Sequence, residues 1–167
     1  TIATSRYKNI VEAEACAYSI ISAVESIFNG LGKCMMHRHA LVLGSRGNIG
    51  RFLMKVMEGR VSYGSASGLD IRNVHEKKSG PKEFAHIEDL RKEEWQALDL
   101  FLGVTGVSVL ARDFFEKLLL EGSARELFFA SGSTKTVEFE SLTAWIEVLS
   151  TADRPTIGGH GVRIEKH

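Results

Sequence analysis

Net charge is what this sequence most plainly lacks: 21 lysines and arginines are offset by 21 aspartates and glutamates. Without a basic excess, neither nucleic acid nor an anionic membrane surface is expected as the main partner. Cysteine is scarce too. Cys16 and Cys34 cannot form a disulfide framework or a metal motif and read as reduced thiols, which points to the cytoplasm. No apolar run approaches the length of a membrane span, and the N-terminus lacks the basic and apolar regions of a signal peptide. No internal repeat is apparent. The first residue is Thr1 rather than methionine, and His167 follows directly on a strand-like stretch. Both ends read as cuts, so the expectation is a single domain from a longer protein. Within it, 1–33 form a leading helix, 34–150 the core and 151–167 a C-terminal extension.

The hydrophobic fraction of 44% is ordinary for a globular domain and sufficient for one core. Apolar residues at Ile10, Ala13, Ala17, Ile20, Ile21, Val24, Ile27 and Phe28 recur at spacings of three and four, which predicts a long amphipathic helix stopped by Gly30 and Gly32. The pattern then predicts a strand over 40–43, a helix opening after Gly47, and a short second strand over 60–63. A glycine-, serine- and charge-rich loop follows over 64–81. A third strand is expected over 83–87 and a polar helix over 88–97, with Leu90 and Trp95 inward. A fourth strand over 98–106 ends in small residues. Next come a helix over 113–121 closed by Gly122, a fifth strand over 126–130, a helix over 142–149 and a final strand over 161–164. Strands alternating with helices imply an α/β chain with a doubly wound, mainly parallel sheet in three α/β/α layers, Rossmann-like and preceded by the long helix.

The most informative segment is Ala40-Leu41-Val42-Leu43-Gly44-Ser45-Arg46-Gly47-Asn48-Ile49-Gly50. An apolar strand, a glycine-rich turn and a helix start are the arrangement that holds a dinucleotide pyrophosphate. Gly44 serves the tight turn, Gly47 the close approach of backbone to phosphate, and Gly50 the packing of helix on strand. Ser45, Arg46, Asn48 and Ile49 lie within the same cradle, whose helix N-terminus offers N–H groups and a positive dipole end.

Two more small-residue turns follow apolar strands: Val104-Thr105-Gly106 and Ala130-Ser131-Gly132-Ser133. In a doubly wound sheet all three lie along the edge over which a dinucleotide stretches. Beyond strand two the stretch is Tyr63-Gly64-Ser65-Ala66-Ser67-Gly68, with no carboxylate before Asp70. Ser65 and Ser67 would leave room for a 2′-phosphate, and Arg46 and Arg72 could add charge, since guanidinium suits phosphate. NADP is therefore slightly preferred, with NAD the rival if Asp70 reaches the adenine ribose. His37 and His39 lack a third ligand nearby and read as a strand-edge pair, so no metal is expected. His160 reads as a loop histidine, and the run from His75 to Lys82 as a solvated loop. Ser45, Ser131 and Ser133 sit in no nucleophile elbow and are assigned hydrogen-bonding roles. No catalytic residue is assigned.

Several runs together resemble a known family. Asp99-Leu100-Phe101-Leu102-Gly103-Val104-Thr105-Gly106, Phe114-Phe115-Glu116-Lys117-Leu118, Ser131-Gly132 and Val137-Glu138-Phe139-Glu140 are similar to segments of the NAD-binding domain of S-adenosylhomocysteine hydrolase. That family has a strand ending in Thr-Gly, a helix with a His-Phe-Glu segment, and an Asn-Ile-Gly-His turn followed by Asp-Val-Glu-Ile-Asp. The likeness runs over about 7–149. This chain differs at the glycine turn, spaced Gly-x-x-Gly-x-x-Gly, and in having no histidine at the family's Asn-Ile-Gly-His turn.

The resemblance implies the cofactor domain of a nicotinamide-dependent enzyme that exchanges hydride with a small molecule held by a further domain. Cofactor contacts then fall at the glycine turn, at Val104, Thr105 and Gly106, and at Ser131 and Gly132. A homo-oligomer remains open. A short-chain dehydrogenase is the other enzymatic reading, suggested by Ser45-Arg46-Gly47. It requires lysine four residues after a tyrosine, and the residues four on from Tyr7, Tyr18 and Tyr63 are Val11, Ser22 and Ser67. The non-enzymatic alternative is a Rossmann-like module that senses a nucleotide or mediates protein contacts.

Overall fold

In the computed structural model, residues 6–61, 63–71, 81–124, 126–132, 137–151, 156–157 and 160–161 are described. Five strands form one all-parallel sheet in the order β3-β2-β1-β4-β5. They are β1 (His39–Leu43), β2 (Ser65–Leu69), β3 (Lys82–Phe84), β4 (Leu100–Gly103) and β5 (Phe128–Ser131). The helices are α1 (Arg6–Gly30), α2 (Asn48–Arg60), α3 (Lys92–Ala97), α4 (Arg112–Glu121) and α5 (Glu140–Ser150). A separate antiparallel pair, β6 (Thr156–Ile157) and β7 (His160–Gly161), lies near the C-terminus.

A central parallel strand is covered on both faces, so it reads as a continuous apolar run rather than an alternating one. Ala40, Leu41, Val42 and Leu43 of β1 are all fully buried, as are Leu100, Phe101 and Leu102 of β4. Their side chains divide between two cores. Ala40, Val42, Leu100 and Leu102 join α1 and α2 through Ala17, Ile21, Val24, Phe28, Leu53 and Met57. Leu41, Leu43 and Phe101 join the helices of the other face through Trp95, Phe115, Leu118, Leu142 and Trp145. That division makes the three-layer α/β/α, Rossmann-like fold.

The leading helix is part of this scaffold. Its buried residues Ala13, Ala17, Ile21, Val24 and Phe28 form one stripe at helical spacing, and Phe28 meets Phe128 of β5 edge-to-face with centroids 4.6 Å apart. The helix ends where Gly32 takes a left-handed φ of 68°, with the Lys33 N–H donating to Phe28 O at 2.7 Å, a glycine-closed helix end.

Four expectations differ from the structure, the first being the third strand, which runs over Lys82–Phe84 rather than 83–87. Residue 60 belongs to α2, and strand two runs over Ser65–Leu69, inside the stretch expected to be loop. Five parallel hydrogen-bonded partners along β1 outweigh the turn-like composition Ser-Ala-Ser-Gly. The helix expected over 88–97 is divided: a 3-10 turn at Ile87–Asp89 precedes α3, while Leu90 and Trp95 are buried as expected. At strand four, the ladder stops at Gly103 and not at Gly106. Residues 72–80 and 162–164 lie outside the described residues.

Candidate functional site

The carboxyl end of β1 turns sharply into α2. Gly44 carries a φ of 87°, a region that side chains with a Cβ avoid, and a Cβ there would lie 2.9 Å from Thr105 Cγ2. The Gly44 N–H donates to Leu69 O at 2.7 Å, and the Gly47 N–H donates to Gly44 O at 2.9 Å. At Gly50 a Cβ would overlap the Gly44 carbonyl oxygen. The first turn of α2 therefore sits directly on the end of β1. Gly47 precedes the helix in extended conformation and has no side chain to cap it, and the Arg51 N–H is the first to bond back, to Gly47 O at 3.1 Å. The N–H groups of the first turn and the positive end of a 13-residue helix thus point out of the sheet edge, a geometry suited to an anion.

Beside this turn, carboxylates stand near the ends of β2 and β3. Asp70 immediately follows β2, is buried, and accepts the Arg46 N–H at Oδ2 over 3.1 Å. Its own N–H donates to Phe84 O at 3.0 Å. Glu83, opposite Gly68 in the β2–β3 ladder, holds the Arg46 guanidinium: Nη2 lies 3.1 Å from Oε2, with the Glu83 side chain only 6% exposed. Arg46 thus meets both carboxylates, Asp70 through its main-chain N–H and Glu83 through its guanidinium.

On the other side of β1, the turns after β4 and β5 are linked. The Thr105 hydroxyl donates to Val107 O at 2.6 Å and accepts the Val107 N–H at 3.2 Å. The Gly106 N–H donates to Glu138 Oε1 at 3.0 Å, the Ser131 hydroxyl donates to Glu138 Oε2 at 2.6 Å, and the Gly132 N–H donates to Gly103 O at 2.8 Å.

Most of the residues singled out from the sequence come together at this carboxyl edge. Gly44, Ser45, Arg46, Gly47, Asn48, Ile49 and Gly50 form the β1–α2 connection, Val104, Thr105 and Gly106 follow β4, and Ser131 and Gly132 close β5. Their roles differ. Ser45 is buried against β2, where a Cβ on Gly68 would come within 2.5 Å of its Cβ and 2.6 Å of its Oγ, so its side chain packs on that strand. Ile49 packs into the apolar cluster under α2. Asn48 is exposed and accepts from Arg51 Nη2 at 3.1 Å.

Ser65 and Ser67 are not part of this group. Ser65 pairs with His39 at the opposite, amino end of the sheet, its hydroxyl 3.0 Å from His39 Nδ1. Ser67 lies mid-strand between Leu41 and Lys82. The residue at the carboxyl tip of strand two is Asp70. His37 stacks on Tyr63, centroids 5.3 Å apart. Arg72, Ser133 and the side chain of His160 lie outside the described residues. Glu83 and Glu138 were not recognised from the sequence as site residues. For Glu138 the available signal was its position among apolar neighbours in Val137-Glu138-Phe139, since a carboxylate embedded that way must find donors.

Among the described residues, no helix is long and apolar enough to cross a membrane. No protein-family model matches the chain, and neither the curated proteins nor the solved structures give a match.

Proposed function

We propose that this chain is a nicotinamide-dinucleotide-binding domain that serves a hydride-transferring enzyme. The observation that carries the reading is the convergence at one sheet edge of an uncapped helix N-terminus over Gly44–Gly50, a buried carboxylate at the tip of β2, and two small-residue turns after β4 and β5. In an open parallel sheet of order 3-2-1-4-5, ligands bind beyond the strand carboxyl ends where the order reverses. That point lies between β1 and β4, beside the glycine turn.

In this reading the N–H groups of Asn48, Ile49 and Gly50 receive the pyrophosphate. The adenosine half runs towards Asp70, whose carboxylate accepts from ribose hydroxyls. The nicotinamide half runs over Thr105–Gly106 and Ser131–Gly132. Asp70 and Glu83 flanking Arg46 disfavour a 2′-phosphate by like-charge repulsion, so NAD is preferred over NADP. This reverses the preference drawn from Ser65 and Ser67, neither of which is at the tip of β2. This reading would make the chain akin to the cofactor domain of S-adenosylhomocysteine hydrolase, the family expected from its sequence runs. The substrate and the acid–base groups would come from a further domain.

Calorimetric titration tests the proposal: binding of NAD with an affinity about tenfold or more above NADP is expected, a difference of about 1.4 kcal/mol. Absence of heat with either nucleotide at millimolar concentration would leave the alternative of an interaction module.

A further inference from the structure

Glu138 is fully buried, yet its two carboxylate oxygens bond to different turns: Oε1 takes the Gly106 N–H at 3.0 Å and Oε2 the Ser131 hydroxyl at 2.6 Å. Burying a carboxylate is costly unless donors satisfy it. Because its two oxygens take donors from two different turns, this one side chain couples the ends of β4 and β5. The strand ends are shaped around it, because a Cβ on Gly103 would stand 2.8 Å from Glu138 Cβ. Beyond Gly106 the chain is exposed at Val107 and Val109, and the Gly106 N–H bond to Glu138 is one restraint on where the turn after β4 sits.

We propose that Glu138 is the positioning residue for the nicotinamide half of the cofactor, fixing the separation of the Thr105–Gly106 and Ser131–Gly132 turns between which that half lies. The proposal rests on the dinucleotide reading above. With the pyrophosphate at the start of α2 and Asp70 on the β2 side, the remaining half of the ligand extends over β4 and β5, where Glu138 ties the two turns. The carboxylate acts through the turns and not on the reacting atoms.

The test compares two probes, NAD and ADP-ribose, which shares the adenosine and pyrophosphate groups but has no nicotinamide. Both are titrated calorimetrically into the full chain, with thermal melts to confirm folding. Glu138→Ala is expected to weaken NAD about tenfold while ADP-ribose stays within about twofold, since only one half loses its seat. Glu138→Gln keeps the shape and one carbonyl acceptor, so its loss for NAD should be intermediate. Ser131→Ala removes one strut from the rim without opening the interior, and keeps the test available if Glu138→Ala does not fold. Its expected effect is about threefold on NAD alone. Equal weakening of both probes, or no weakening of either, overturns the positioning role while the dinucleotide reading stands. Failure of the wild-type chain to bind either probe overturns both.

Discussion

The Arg46 main-chain N–H donates to Asp70 Oδ2 at 3.1 Å, so the glycine-rich turn after β1 and the tip of β2 are held as one piece. The same carboxylate that would accept from the adenine ribose also fixes the backbone of the phosphate-binding turn. Asp70→Asn retains an oxygen for the Arg46 N–H but removes the charge. It is expected to weaken NAD by about tenfold, within the range for losing a hydrogen bond to a charged group, with a much smaller effect on NADP. Calorimetry with both nucleotides measures the ratio.

Glu83 works on the same corner through Arg46. Its carboxylate holds the guanidinium 3.1 Å away, and in the dinucleotide reading this keeps Arg46 from a 2′-phosphate. Glu83→Gln should narrow the NAD-to-NADP preference by about fivefold to tenfold, because guanidinium pairs strongly with phosphate. Adding Arg46→Ala should abolish that gain. A preference unchanged by Glu83→Gln would show that Arg46 has no part in discrimination.

Gly50 tests the seating of α2. A Cβ there overlaps the Gly44 carbonyl, so Gly50→Val must lift the helix from the end of β1. Overpacking of this kind costs about 1–3 kcal/mol, readable as a lowered midpoint in urea unfolding. Gly59, where a Cβ would meet nothing within 4 Å, is the control: Gly59→Ala should leave stability unchanged or raise it by up to about 1 kcal/mol.

Acid sensitivity is expected at the other end of the sheet's edge strand. Glu94 is held at about 2 against an ordinary 4.5, first by the Arg91 side-chain hydrogen bond, which outweighs the opposing effect of burial, and further by Lys82. A carboxylate with a depressed folded-state pKa contributes stability that is full above its unfolded value and lost as pH falls through the folded one. The contribution should therefore fade from pH 4.5 down to about 2. Because these ion pairs are near the surface, its size is about 1 kcal/mol or less. Urea midpoints followed through that window should fall less steeply for Glu94→Gln than for the wild type.

Some of this structure was legible in the sequence, for physical reasons that differ by element. Ala40–Leu43 is a continuous apolar run because both faces of β1 are covered, and glycines mark the turn and helix contact at Gly44 and Gly50. Stripes in α1 and α4 reveal their buried sides. Strand β2 was misplaced because Ser65-Ala66-Ser67-Gly68 has turn chemistry and no β-branched residue. Its small side chains make room for Ser45, a tertiary cause invisible locally. That misplacement puts the expected strand end at Tyr63, which favours the serines over the rival Asp70 as readers of the adenosine end. Glu83 and Glu138 act through partners distant in sequence or in separate turns, Arg46 for one and Gly106 with Ser131 for the other, so their roles are not visible in their local sequence.

The central claim is that a nicotinamide dinucleotide lies across the carboxyl edge of the sheet, with its pyrophosphate on the first turn of α2. Amide chemical-shift mapping during titration with NAD tests this most directly. The account predicts saturable shifts concentrated at Gly44, Arg46, Gly47, Asn48, Ile49, Gly50 and Asp70, with a second group at Thr105, Gly106, Ser131 and Gly132. Shifts confined to the opposite edge, around His39 and Ser65, or none at millimolar NAD, would contradict it.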